Sequence, residues 1–93
     1  MDDYKILLIE DEEQMAMYIQ MELTHEGYIV DVEYNGGEGF KRAEKQEHDL
    51  ILLDVMLPGL NGMEVCRRIR QFSSIPIIML TAKGEIKIGR AHV

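Results

Sequence analysis

The chain has 93 residues, a net charge of −7 and a single cysteine, Cys66. This length predicts one small domain, and the excess of acidic residues argues against direct binding of nucleic-acid phosphates. One cysteine excludes an internal disulfide, and no run of about 18 apolar residues is present to span a membrane. The acidic start MDDYKILLIE does not resemble a signal peptide. We therefore expect a reduced, cytoplasmic protein.

The first half of the chain predicts two strands, each followed by a helix. The strands are Lys5–Glu10 and Tyr28–Tyr34. The first helix carries an apolar stripe of residues spaced by four, namely Met15, Ile19 and Leu23. The second helix runs from Glu38 to about Gln46, after a predicted turn at residues 35–37 (Asn-Gly-Gly).

The segment Asp49–Gly62, DLILLDVMLPGLNG, is the centre of the pattern. Its unbroken apolar run, residues 50–53, is typical of a strand buried on both faces in a parallel sheet. The run ends at Asp54, and two turn signals follow, Pro-Gly and Asn-Gly. Beyond them we predict a helix over Met63–Phe72 and a fourth strand over Ile75–Leu80.

Strands and helices therefore alternate, which predicts a parallel sheet with helices on both faces. Polar residues follow three of the strands, and if these strands are neighbours the residues converge at one edge: Glu10, Asp11, Asp54 and Thr81. Carboxylates packed together raise one another's pKa unless a cation is present. Oxygen ligands without histidine or cysteine suit Mg²⁺, which would leave room for phosphoryl oxygens.

Three motifs, LLIEDEE, DLILLDVMLPGLNG and IPIIMLTAKGE, occur in this order. Together they resemble the receiver domain of two-component response regulators over residues from about 4 to 85. The second and third motifs look most like receivers attached to winged-helix DNA-binding domains. The resemblance implies an α/β fold, the CheY-like or flavodoxin-like doubly wound parallel sheet, with strand order 2-1-3-4 in this chain.

The resemblance also implies a role for each site residue. Asp54 would accept a phosphoryl group from a sensor histidine kinase, and Thr81 would bind that group through its hydroxyl and act as the switch. Asp11 would ligate Mg²⁺ directly, Glu10 through water, and Met56 through its backbone carbonyl. The chain would be a signalling domain rather than an enzyme. It would act on DNA only through an output domain absent from the chain, and its parent would dimerise when phosphorylated.

The end of the chain departs from the family pattern. Receivers continue with a helix, a fifth strand ending in Lys-Pro and a last helix, and we predict none of these after Glu85. Lys83 and Lys87 follow Thr81 too soon to replace the family lysine. The final residues, IGRAHV, are what one reading frame of a widely used sequencing adapter encodes. We interpret the chain as a truncated reading frame.

This interpretation makes residues 1–86 a partial receiver of about four strands and three helices, and residues 87–93 a non-native or disordered tail. The fourth strand would then be an exposed apolar edge, and the faces that further helices cover would lie open. We therefore expect marginal stability and a tendency to aggregate.

Two other functions compete with this one. A Mg²⁺-dependent phosphatase with an aspartyl-phosphate intermediate would need a second aspartate two residues after Asp54, where Met56 stands. A module that is never phosphorylated, or a non-functional fragment, is the other alternative. Among the remaining residues, we expect the three histidines on the surface (His25, His48, His92), and we expect Cys66 and three methionines in the core (Met15, Met63, Met79).

Overall fold

Strands and helices alternate along the chain as the sequence pattern predicts. The structure, a computed structural model, describes residues 3–80 and the backbone of residues 86–89. The elements in chain order are β1 (Lys5–Ile9), α1 (Glu13–His25), β2 (Ile29–Glu33), α2 (Gly36–Glu44), β3 (Leu50–Asp54), α3 (Gly62–Ile69), β4 (Ile77–Leu80) and β5 (Ile86–Gly89). No helix in the described part of the chain is long and apolar enough to span a membrane.

The strands form one sheet in the order β2-β1-β3-β4-β5. β1 to β4 are parallel, with Ile9 paired to Leu53 and Asp54 paired to Leu80. The carboxyl ends of β1, β3 and β4 therefore lie side by side at one edge. The prediction of a CheY-like parallel arrangement of order 2-1-3-4 with three helices is confirmed.

Each face of the sheet has its own apolar core. The face under α2 and α3 buries the larger set of side chains: Leu7, Ile9, Ala43, Ile51, Leu53, Leu57, Val65, Cys66, Ile69, Ile77 and Met79. On the other face the described helix is α1, and the buried residues are Ile6, Leu8, Ala16, Val30 and Leu52. Successive residues of β1 point to opposite cores, which is why its apolar run is unbroken.

The prediction for the inward stripe of α1 was partly wrong. Met15 is 45% exposed, whereas Ala16 is fully buried and Ile19 and Leu23 pack beside it. Ile19 and Leu23 of the predicted stripe therefore face the core, but the buried residue beside them is Ala16 rather than Met15. Met63 is also 45% exposed, against prediction, while Met79 and Cys66 are buried as predicted.

Residues 35–37 do not form a free turn. The Asn35 side chain caps α2, and Gly36 and Gly37 belong to its first turn. Asn61 caps α3 in the same way, with Gly62 as the first helical residue. Each asparagine oxygen accepts a hydrogen bond from the backbone N–H three residues later. Asn-Gly signals both a turn and a helix start, because a side chain that bonds nearby backbone suits either.

The burial of one histidine, His48, also contradicts the prediction that the histidines lie on the surface. The His48 side chain is 2% exposed, and its Nε2 lies 2.8 Å from Oδ2 of Asp31. Arg42 pairs with the same carboxylate at 3.1 Å and with Glu33 at 2.9 Å. We call these four residues the β2 charge network. His25 is exposed as predicted, and His92 lies outside the described residues.

The prediction that β4 is an open edge was also wrong. β5 pairs antiparallel with β4, from Ile77 opposite Gly89 to Leu80 opposite Ile86. An edge strand presents unpaired N–H and C=O groups, and an extended segment that folds back after a short connection satisfies them in the antiparallel direction. The sequence reading did not foresee this because it treated residues 87–93 as a non-native or disordered tail, and residues 87–89 belong to β5.

Candidate metal centre

Three carboxylates meet at the carboxyl ends of β1 and β3. Glu10 and Asp11 follow β1, and Asp54 is the last residue of β3. Because β1 and β3 are parallel neighbours with Ile9 beside Leu53, the residues that follow are also neighbours. One carboxylate oxygen from each residue lies within 4.8 Å of the others. The structure thus brings these three residues together as predicted, and we call them the carboxylate pocket.

The pocket is electrostatically unfavourable without a cation. Glu10 is only 6% exposed. Burial, together with the nearby charges of Asp54 and Asp11, raises the pKa of Glu10 to about 7, against the opposing effect of a hydrogen bond from the Glu12 N–H. Within residues 3–80 no basic side chain forms an ion pair with the pocket. A bound cation would offset this repulsion.

The chemistry of the pocket fits a hard divalent cation. All its side-chain donors are carboxylate oxygens, which Mg²⁺ and Ca²⁺ prefer. Glu10 is buried, Asp54 is partly exposed and Asp11 is exposed, so the carboxylate pocket has contact with solvent through its two aspartates. An ion there would keep contact with solvent, as Mg²⁺ does when it retains several waters.

Backbone groups orient two of the carboxylates. The Met56 N–H donates to Oδ1 of Asp54 at 3.0 Å, and the Glu12 N–H donates to Oε2 of Glu10 at 3.0 Å. The sequence reading missed both donors, although an acidic residue that bonds the N–H two positions later is a familiar turn. The Met56 side chain is 64% exposed, so its backbone is the part beside Asp54. Its carbonyl role stays a prediction.

The predicted switch residue lies next to described structure. Leu80 pairs with Asp54 across β3 and β4, and Thr81 follows it directly. Thr81 and Lys83 themselves lie outside the described residues. The place of Thr81 at the pocket and the role of its hydroxyl therefore stay predictions.

The parallel strands in the order 2-1-3-4 and the three carboxylates at the ends of β1 and β3 are the features that define one class of signalling domain. The family model described as response regulator receiver domain matches residues 6–92. The chain therefore belongs to the response regulator receiver domain family.

Curated relatives include the response regulator ArlR. The chain is 53% identical to ArlR of Staphylococcus saprophyticus and 52% identical to ArlR of Staphylococcus aureus, over 81 residues in each case. These matches cover 87% of the chain and 37% of each relative. The chain thus corresponds to little more than a third of the length of these relatives.

Solved structures agree with this assignment. The response regulator TrrA from Thermotoga maritima, solved in complex with Mg²⁺–BeF, matches with a TM-score of 0.81 and 38% identity, over 85% of this chain and 70% of that one. The BeF3-activated receiver domain of RstA from Klebsiella pneumoniae matches with a TM-score of 0.80 and 36% identity, over 84% of this chain and 67% of that one.

Proposed function

We propose that this receiver domain accepts a phosphoryl group on Asp54, with Mg²⁺ held at the carboxylate pocket. The observation that carries the proposal is the approach of three carboxylate oxygens within 4.8 Å, with one of the carboxyl groups buried. The similar TrrA structure contains Mg²⁺–BeF, which supports a metal at the corresponding region here.

We assign each pocket residue a separate role in binding the metal. Asp11, which is exposed, and Asp54, which is partly exposed, would ligate Mg²⁺ directly, whereas Glu10 would act through water and Met56 through its carbonyl. When bound, Mg²⁺ neutralises charge on the phosphoryl group and favours in-line transfer. The Met56 N–H orients the Asp54 carboxylate through its 3.0 Å hydrogen bond. Thr81 would bind the transferred group through its hydroxyl.

The proposal also names the phosphoryl donor and the functions of a longer parent protein. The phosphoryl donor is a sensor histidine kinase in the cytoplasm, and the chain is a signalling domain rather than an enzyme. Because the chain covers 37% of its ArlR relatives, we assign DNA binding and phosphorylation-dependent dimerisation to a longer parent. In this view residues 1–86 are the partial receiver and residues 87–93 are a non-native tail, of which residues 87–89 pair with β4 as part of β5.

The test is the intact mass of the protein after incubation with acetyl phosphate, with and without Mg²⁺. We expect one added phosphoryl group that requires Mg²⁺ and is absent from Asp54→Asn. Circular dichroism confirms that both samples are folded. A folded wild-type sample without the adduct, or an adduct on Asp54→Asn, would contradict the proposal.

A further inference from the structure

The loop between β3 and α3, residues 55–61, carries Met56 and is fixed by backbone contacts at its start. The Val55 N–H donates to the Leu80 carbonyl at 2.9 Å. The Val55 carbonyl in turn accepts from Leu57 at 3.1 Å and from Gly62 at 3.0 Å. The beginning of the loop is thus tied to β4 on one side and to the first residue of α3 on the other.

Gly62 meets this loop where a side chain would not fit. A Cβ atom there would overlap the carbonyl oxygen of Asp54 and lie 2.8 Å from Cα of Val55. Both neighbours are backbone atoms, so they cannot rotate away as a flexible side chain would. A methyl group at Gly62 therefore requires movement of the chain that carries the Asp54 carboxylate.

Gly36 makes a similar contact at the far end of the loop. A Cβ atom there would overlap the carbonyl oxygen of Leu60 and lie 3.0 Å from Cγ2 of Val65. The first residue of α2 thus packs directly against the loop backbone. The adjacent Gly37 differs, since a Cβ there would meet only Oδ1 of Asn35 at 3.6 Å, an ordinary contact.

We propose that Gly36 and Gly62 are positioning residues that hold the β3–α3 loop from both ends and so set the geometry of Asp54 and Met56. The link to metal binding rests on the proposed function. Added methyl groups at these positions would move the loop, while the core on the opposite face of the sheet, under α1, stays packed. Metal-ligand geometry depends on such supporting contacts, whose loss typically weakens binding by about 10-fold to 100-fold.

The experiment compares five forms of the full chain: wild type, Gly36→Ala, Gly62→Ala, Gly37→Ala and Val30→Ala. Gly37→Ala is the matched control, with the same substitution in the same helix but no loop contact. Val30→Ala controls for lost stability, because Val30 is buried on the opposite face, under α1. Amide NMR measures backbone shifts without metal, and titration with Mg²⁺ gives the Kd.

We expect Gly36→Ala and Gly62→Ala to shift the amide signals of residues 54–62 without metal and to weaken Mg²⁺ binding by about 10-fold to 100-fold. The two controls should keep wild-type loop signals and a wild-type Kd. Unchanged loop signals in a folded Gly62→Ala variant would overturn the proposal. An equal loss of affinity in Val30→Ala would also overturn it, because the effect would then reflect stability alone.

A measurement on the wild type covers the case in which the alanine variants do not fold. The amides of Leu57 and Gly62 should be protected from hydrogen exchange, because both donate to the Val55 carbonyl. Exchange as fast as in an unstructured peptide would overturn the proposal. If wild type takes up no Mg²⁺, the proposed function fails, while the metal-free shifts still decide the role of the glycines.

Discussion

The carboxylate pocket and the β2 charge network both gather acidic side chains, and they do so with opposite consequences. In the network, the bond to His48 and the charge of Arg42 lower the pKa of Asp31. In the pocket, burial and neighbouring carboxylates raise the pKa of Glu10 to about 7. Acids paired with cations stabilise a fold, whereas buried acids without them are typical of functional sites. The β2 charge network is thus a structural cluster, whereas the carboxylate pocket has the electrostatics that the proposed metal site requires.

The largest expected effect is stabilisation of the folded protein by Mg²⁺ bound at the carboxylate pocket. A ligand that binds only the folded state at about 100 times its Kd adds about 2.7 kcal/mol to the free energy of unfolding. Urea denaturation with and without Mg²⁺ measures this gain, with KCl added to match ionic strength. Asp11→Asn should lose most of the gain. An equal gain in KCl, or in Asp11→Asn, would show that the pocket is not the site.

The second largest effect is expected from removing the Arg42 ion pairs of the β2 charge network. Arg42→Met removes the guanidinium group that pairs with Asp31 and Glu33 and leaves both carboxylates partly buried. We expect a loss of about 1–2 kcal/mol in the free energy of unfolding, measured in urea. Lys41→Met is the control, because Lys41 is 73% exposed and its partner Glu38 is 3.6 Å away. A similar loss in both variants would mean that the network adds no particular stability.

Glu10→Gln should stabilise the metal-free protein at high pH. The pKa of Glu10 is raised from 4.5 to about 7 in the fold, so its contribution to stability is present below pH 4.5 and is lost as pH rises through 7. The variant lacks this loss, and at pH 8 in EDTA we expect it to have a higher Tm than wild type. The Tm difference from wild type should shrink towards pH 4. A variant less stable than wild type at pH 8 would contradict this reasoning.

The smallest effect is the acid dependence of the network. The pKa of Asp31 is lowered below its usual 3.8, so its contribution is present above pH 3.8 and is lost as pH falls through the lowered pKa. Asp31→Asn should lose stability at pH 7 by less than about 1 kcal/mol, because the side chain is partly exposed. The difference from wild type, followed by urea denaturation, should shrink as the pH falls below 3.8. A difference that persists there would point to packing rather than charge.

Much of the fold was predictable from local pattern. The apolar runs of β1 and β3 required burial on both faces, and the alternation with helices required parallel neighbours. The errors arose where one signal has two structural meanings. Asn35 and the two glycines after it fitted a turn as well as a capped helix, and Met15 fitted an apolar stripe whose buried residue is in fact Ala16.

The sequence by itself determined that Glu10, Asp11 and Asp54 share one edge of the sheet, because parallel strands end at the same side and each residue follows a buried run. Only the tertiary structure decided the burial of Glu10 and hence its raised pKa. It also decided that a Cβ atom at Gly62 would overlap the backbone of Asp54, that β5 pairs antiparallel with β4, and which residues form the β2 charge network. These features depend on distances between residues far apart in the chain, which local composition and periodicity do not encode.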